Sequence, residues 1–287
     1  MGTRAVLLDI DGVLYVGERV IDGATDAVAE LRRRGYLLRF VTNTTSRSRS
    51  EILERLERLG FAASDSELVT PTRLAVAHCR RRGFAAVALL APARLRAEFA
   101  TLPLVADPVD ARAHGGASPK LGGGKPQRAA AHSPPARVDC VVLGDLGEGF
   151  DYATLNGAFR WLSAGAELVA LQHNRTWRRA DGLALDVGPF VAALEYATGR
   201  PATVVGKPAQ QFFDLVLHDI GVDREECLMV GDDVEADIAG AQRQGVPAAF
   251  VRTGKHSDDD LERFGVRPEL VLDSVAELPA VLAATGR

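Results

Sequence analysis

The chain has 287 residues, 47% of them hydrophobic and 25% charged, with a formal net charge of −4. Such values describe a soluble globular protein long enough for one large domain or two ordinary ones. They leave no basic footprint for nucleic acid or an anionic membrane, and no apolar run approaches the length of a bilayer span.

The sequence enters a strand almost at once, at residues 5–8, with no charged-then-apolar leader ahead of it. This strand delivers Asp9 and Asp11 two residues apart, and alternation along extended backbone puts both carboxylates on one side. A helix is predicted over 24–34, ending at Gly35, then a strand at 37–41 that leads into TNTT. A charged helix follows at 48–59 and stops at Gly60. A short strand at 68–70 precedes Pro71, where a helix running to about 82 begins. The arginine runs at 32–34 and 80–82 fall in last helical turns, where cations complement the helix dipole.

The middle of the chain changes character. Residues 111–137 hold many Gly and Pro and almost no large apolar side chains, which predicts a mobile loop. Within it, GGASPKLGGGKP imitates a phosphate-binding loop, but Pro119 and Pro126 stand where that loop needs glycine and a hydroxyl. Structured sequence resumes at VDCVVLG, with a helix over 152–164 and a strand at 167–171. The last third alternates again. TVVGKP leads to a helix at 209–220, then to a strand at 227–230 that ends in GDD. A helix over 234–244, a strand at 248–251 and a C-terminal helix complete the pattern.

Short apolar strands separated by helices imply an α/β fold, a Rossmann-like parallel sheet covered on both faces. The first and last thirds, 1–70 and 202–287, read as halves of one core, and 71–201 as an inserted α/β domain. Cys79, Cys140 and Cys227 are widely spaced and odd in number, which suggests core thiols in a reducing, cytoplasmic setting. The six histidines show no metal-binding spacing, and no serine sits in a nucleophile-elbow context.

Three polar turns follow strands: DIDG at 9–12, TNTT at 42–45 and GDD at 231–233. Parallel sheets bind ligands beyond the carboxyl ends of their strands, so these turns can converge there with Lys207 of GKP. Two or three hard carboxylates from Asp9, Asp11 and Asp232 suit Mg²⁺, which prefers oxygen ligands and a substrate phosphate. A lysine and a threonine hydroxyl can hold the remaining phosphoryl oxygens. One carboxylate can attack phosphorus while the other moves protons.

The order DIDGVLY, TNTT, a long insert, GKP and GDDVEADIAGAQ resembles the haloacid dehalogenase (HAD) superfamily, and within it subfamily IIA. The resemblance implies a Mg²⁺-dependent phosphatase acting on a small phosphorylated metabolite through an aspartyl phosphate. It makes Asp9 the nucleophile and Asp11 the general acid/base. It gives Thr42, Asn43 and Lys207 to the phosphate, and places Mg²⁺ on the Asp9 side chain, the Asp11 carbonyl and Asp232. Asp233 and Asp237 would orient metal-bound waters or Lys207, and residues 15–21 would form a short flap. The insert becomes a cap that sets specificity, with His173, Asn174, Arg175 and Arg178 as candidate contacts and a homodimer formed through it. Thr44 stands where many members carry a second asparagine. A non-catalytic binding protein of the same fold and a phosphotransferase are the alternatives.

Overall fold

The structure is a computed structural model that describes residues 2–105, 137–179 and 182–285. The expected mobile loop therefore lies, up to residue 136, outside the described residues, together with His114 and His132. In chain order the elements begin with β1 (Ala5–Asp9), the hairpin strands β2 (Tyr15–Val16) and β3 (Arg19–Val20), and α1 (Ala24–Arg33). They continue with β4 (Leu37–Val41), α2 (Arg49–Arg58), β5 (Leu68–Val69), α3 (Pro71–Arg82) and β6 (Val87–Leu90). Next come β7 (Cys140–Leu143), α4 (Tyr152–Ser163), β8 (Glu167–Ala170), β9 (Thr176–Arg179), β10 (Gly182–Leu185), α5 (Gly188–Thr198) and β11 (Thr203–Val204). The last segment holds α6 (Gln210–Ile220), β12 (Cys227–Gly231), α7 (Gly240–Arg243), β13 (Ala248–Val251), α8 (Asp258–Phe264), β14 (Leu270–Leu272) and α9 (Leu278–Thr285).

The chain divides into two compact units, Met1–Leu74 with Val205–Arg287, and Ala75–Val204. The sequence puts the insert at 71–201, whereas the division falls inside α3. The first turn of α3 stays with the core because Leu74 N–H donates to the Thr70 carbonyl and Arg73 N–H to the Thr70 hydroxyl.

The first unit is built on a six-stranded sheet of order β14-β13-β12-β1-β4-β5, parallel throughout. All five residues of β1 are buried, as expected of a central strand covered on both faces. Val6 and Leu8 pack with Val28 and Leu31 of α1, Phe40 of β4 and Leu56 of α2. The buried positions of α1, Ala24, Ala27, Val28 and Leu31, recur at helical spacing and give the helix one apolar stripe. Ser48 and Glu51 form a capping box that starts α2. In α6, Phe212, Phe213, Val216 and Leu217 are buried, and Gly221 ends the helix in the left-handed region.

The second unit carries a four-stranded parallel sheet of order β11-β8-β7-β6 and the antiparallel hairpin β9-β10. Leu90, Val141, Leu143, Leu162, Val191 and Leu194 are among the side chains of its core. Among the described residues no helix is long and apolar enough to cross a membrane.

One predicted element comes out differently. The helix expected over 234–244 is a π-helical turn, Val234–Ala239, followed by the short α7. Asp237 and Ile238 both donate their N–H to the Asp233 carbonyl, and the second of these bonds widens the turn by one residue. Several strands have no counterpart in the sequence reading: β2 and β3, which form the hairpin inside the segment expected to be a flap, β6, β9 and β10 of the second unit, and β14, which extends the first unit's sheet at one edge.

Candidate active site

Strands β12, β1 and β4 are neighbours, with Leu8 opposite Val230 and Asp9 opposite Val41. Their carboxyl ends therefore deliver Asp9, Thr42 and Asp232 to one edge of the first unit's sheet, and Lys207 arrives from the turn that leads into α6. Lys207 is 2% exposed, and its Nζ lies 2.6 Å from Asp9 Oδ1 and 2.7 Å from Asp237 Oδ1. Asp9, Asp232 and Asp237 each offer a carboxylate oxygen, and these oxygens lie within 4.8 Å of one another. The π-helical turn brings Asp237 into this group, fully buried, although it sits six residues beyond the end of β12. Gly231 makes room for it, since a Cβ there would meet Asp237 Oδ2 at 2.2 Å.

The electrostatics follow from this crowding. Burial pushes the Asp9 carboxyl up to about 7, with Asp232 adding to the rise and Lys207 opposing it. Burial likewise raises Asp237 to about 7 and Asp232 to about 6. Burial alone would lower the Lys207 ammonium, but Asp237 and Asp9 outweigh it and hold the group above its ordinary value. Loss of water raises Asp11 as well, against the attraction of Arg55 and Arg47. Three buried carboxylates face a single ammonium, leaving an excess of two negative charges when all are ionised. This all-oxygen set fits a hard divalent cation.

The other expected site residues take definite places. The Asp11 side chain is not one of the three clustered carboxylates. Its backbone bridges to Tyr15, so it belongs to the turn joining β1 to the hairpin. Thr42 is 4% exposed, and its hydroxyl accepts the Thr44 N–H at 3.0 Å. Asn43, expected beside the phosphate, spends its side chain on Lys207 instead. Its Nδ2 donates to the Lys207 carbonyl at 2.8 Å, and its Oδ1 accepts the Lys207 N–H at 2.9 Å. This places it as a clamp between two motifs 164 residues apart. Asp233 caps the π-helical turn through the N–H groups of Glu235 and Ala236, both at 3.0 Å, and pairs with Lys255 Nζ at 2.5 Å. Lys255, beside the burial that would raise it, is the main reason that the Asp233 carboxyl lies below the ordinary range.

His173, Asn174 and Arg175 lie in the second unit, in the turn between β8 and β9. His173 Nε2 is 3.8 Å from Glu195, Asn174 N–H donates to Gln172 Oε1 at 2.5 Å, and the Arg175 carbonyl accepts the Asp186 N–H at 3.1 Å. The Arg178 backbone pairs with Leu183 in the β9-β10 hairpin, and its side chain lies outside the described part of the structure.

Two features escaped the sequence reading. Arg55 of α2 is buried, with its guanidinium 4.6 Å from the Tyr15 ring. It donates to the Gly17 carbonyl and pairs with Glu18 at 3.0 Å, so it braces the β2-β3 hairpin from beneath. The loop after β13, Thr253–His256, reaches the same sheet edge. The signal available was the strand followed by RTGKH, a glycine next to a lysine at a strand's carboxyl end.

The fold and these motifs define a class: the chain belongs to the haloacid dehalogenase-like hydrolases. The profile of that family matches residues 6–103, and a second, HAD-hydrolase-like, matches residues 204–278. The chain is 37% identical over 282 residues to the bovine (Bos taurus) phospholysine phosphohistidine inorganic pyrophosphate phosphatase, covering 96% of this chain and 93% of that protein. It is 37% identical over 271 residues to the human (Homo sapiens) haloacid dehalogenase-like hydrolase domain-containing protein 2, covering 94% and 92%. The structure of 4-nitrophenylphosphatase from Thermotoga maritima superposes with a TM-score of 0.80 at 25% identity, covering 98% of this chain and 97% of that one. That of p-nitrophenyl phosphatase from Archaeoglobus fulgidus does so at 0.81, with 24% identity and 98% and 100% coverage, and shares the fold.

Proposed function

We propose that the protein is a Mg²⁺-dependent phosphatase that hydrolyses a small phosphorylated metabolite through a phosphorylated Asp9. The observation that carries the reading is the Lys207 ammonium held between Asp9 and Asp237, with Asp232 completing an oxygen cluster whose charge one divalent cation would balance. The names of the relatives and of the Thermotoga structure support phosphate release as the chemistry.

In this reading an Asp9 carboxylate oxygen attacks phosphorus as the bond to the leaving oxygen breaks, and Asp11 donates its proton to that oxygen. Asp11 then removes a proton from water, whose oxygen attacks the same phosphorus and returns Asp9 as a free carboxylate. The raised Asp11 carboxyl suits a group that must hold a proton at one step and take it back at the next. Lys207 and the Thr42 hydroxyl hold the phosphoryl oxygens, and Asn43 fixes the Lys207 backbone. Asp9, Asp232 and the Asp11 carbonyl would hold Mg²⁺, whose charge offsets that of the phosphoryl group. Asp237, paired with Lys207, keeps the ammonium charged and aimed at Asp9.

The test is phosphate release from a panel of phosphate esters, phosphoramidates and inorganic pyrophosphate, with and without Mg²⁺, for wild type and Asp9→Asn. Metal-dependent turnover abolished by the substitution is expected. An active Asp9→Asn variant, or turnover indifferent to Mg²⁺, overturns the mechanism, and a folded wild type inert on every compound overturns the function.

A further inference from the structure

The geometry points to Thr253 and Gly254, in the loop after β13, as the positioning residues that set the Asp232 carboxylate for its metal; this rests on the Mg²⁺ site proposed above. Three contacts converge on that one side chain, and a fourth links two of the segments that make them. A Cβ at Gly254 would stand 1.9 Å from Asp232 Oδ2 and 2.2 Å from its Cβ and Cγ, so the loop backbone lies directly against the carboxylate. Gly12 also lies against this carboxylate, since a Cβ there would meet Asp232 Cγ and Oδ2 at 2.5 Å. The Lys255 N–H donates to Asp232 Oδ2 at 2.8 Å and fixes which oxygen faces the loop. The Thr253 hydroxyl donates to the Gly12 carbonyl at 2.5 Å and so holds the two glycines at their spacing.

Asp232 therefore sits in a slot with glycine walls and a hydroxyl strut. One oxygen is taken by a backbone N–H, which leaves the other free for a cation. The backbone of Gly254 is not in the left-handed region, whereas Gly12 has φ +85°. Replacing Gly254 by alanine thus acts through contact with Asp232, while a change at Gly12 would add backbone strain. The side chain of Lys255 works on the neighbouring residue, pairing with Asp233 at 2.5 Å. His256 Nδ1 accepts the Val234 N–H at 2.9 Å, tying the end of the same loop to the π-helical turn. Four consecutive residues after β13 therefore address the turns after β1 and β12, and none of them belongs to the carboxylate cluster itself.

The experiment measures Mg²⁺ binding alone, by isothermal titration calorimetry without substrate, on wild type, Gly254→Ala, Thr253→Val and Thr253→Ser, with circular dichroism to confirm folding. Groups that orient a metal ligand are worth about 10- to 100-fold in metal affinity, so Gly254→Ala is expected to lose that much and Thr253→Val to lose in the same direction. Thr253→Ser, which keeps the hydroxyl, is expected to bind as wild type does. Turnover by Thr253→Val should recover at saturating Mg²⁺, with the substrate KM unchanged. If Gly254→Ala does not fold, the Val and Ser variants at 253 decide. Folded variants that bind Mg²⁺ within about twofold of wild type overturn the assignment while leaving the Mg²⁺ site standing. A wild type that binds no Mg²⁺ overturns both.

Discussion

Asn43→Ala is the sharpest probe of how the site is held together. The asparagine amide makes two hydrogen bonds to the Lys207 backbone, at 2.8 and 2.9 Å, and alanine removes both. It leaves the Lys207 N–H and carbonyl without those partners in a residue only 2% exposed. An unsatisfied buried polar group costs about 1–3 kcal/mol, so the two together predict a loss of about 2–6 kcal/mol in unfolding free energy. The loss should appear in a urea melt as a lower midpoint with an unchanged slope. Activity should fall further than stability, because the clamp fixes the ammonium that lies 2.6 Å from Asp9. A displacement of about 1 Å at such a distance costs on the order of 100-fold in turnover. The fall should lie in kcat and should persist at saturating Mg²⁺. Asn43→Asp keeps the acceptor for the Lys207 N–H but turns a second acceptor toward its carbonyl, so it should be no better than alanine. A folded Asn43→Ala variant within about 0.5 kcal/mol and twofold of wild type would refute the reasoning, since that is the range of an ordinary surface change.

Asp237→Asn leaves the Lys207 ammonium with Asp9 as its remaining carboxylate partner, and a charged hydrogen bond of this kind is worth about 1.5–3 kcal/mol, a drop readable in thermal unfolding alongside a loss of kcat. The three clustered carboxylates have folded values near 7, 7 and 6 against an ordinary 3.8, so the metal-free protein takes up protons on folding and loses stability as pH rises through roughly 4 to 7. Mg²⁺ should displace those protons, and its stabilisation measured by differential scanning fluorimetry should be larger at about pH 7.5 than at about pH 5.5; equal shifts at both would contradict the carboxylate set. In the second unit His78 is buried with neither ring nitrogen hydrogen-bonded, and burial, with Arg81 and Arg82, holds it below its ordinary 6.5. The unfolded chain then binds the extra proton, so the contribution of His78 is lost as pH falls below about 6.5, opposite in sign to that of the carboxylates, and His78→Phe should raise stability on the acid side relative to neutral pH in urea melts.

How much of this was legible beforehand varies with the kind of residue. The buried strand β1 and the acids at its end announce themselves, because a four-residue apolar run followed by DIDG has few other uses. The GDD turn was equally plain. The role of Asp237 depends on a turn that closes one residue wider than an α-helix, and no local propensity separates the two when a capping carbonyl such as that of Asp233 accepts from both Asp237 and Ile238. Asn43 looked like a phosphate contact because it follows Thr42 in the TNTT turn. Only the distance to Lys207, a partner far along the chain, shows the amide already engaged. Gly254 was hidden for a different reason: glycine after a strand reads as an ordinary turn, and the carboxylate it accommodates comes from another strand.

The strand order carries a consequence for the chain as it is made. β1 lies between β4, which precedes the insert, and β12, which follows it. Until residue 227 and its successors emerge, the strand bearing Asp9 has an open side, and an apolar strand with unpaired N–H and carbonyl groups is a template for other chains. The 1–74 segment made alone should therefore aggregate, while adding 205–287 in trans should rescue it by supplying the missing neighbour. A site drawn from both ends of the polypeptide thus stays incomplete, with neither Lys207 nor Asp232 in place, until nearly the whole chain has been synthesised.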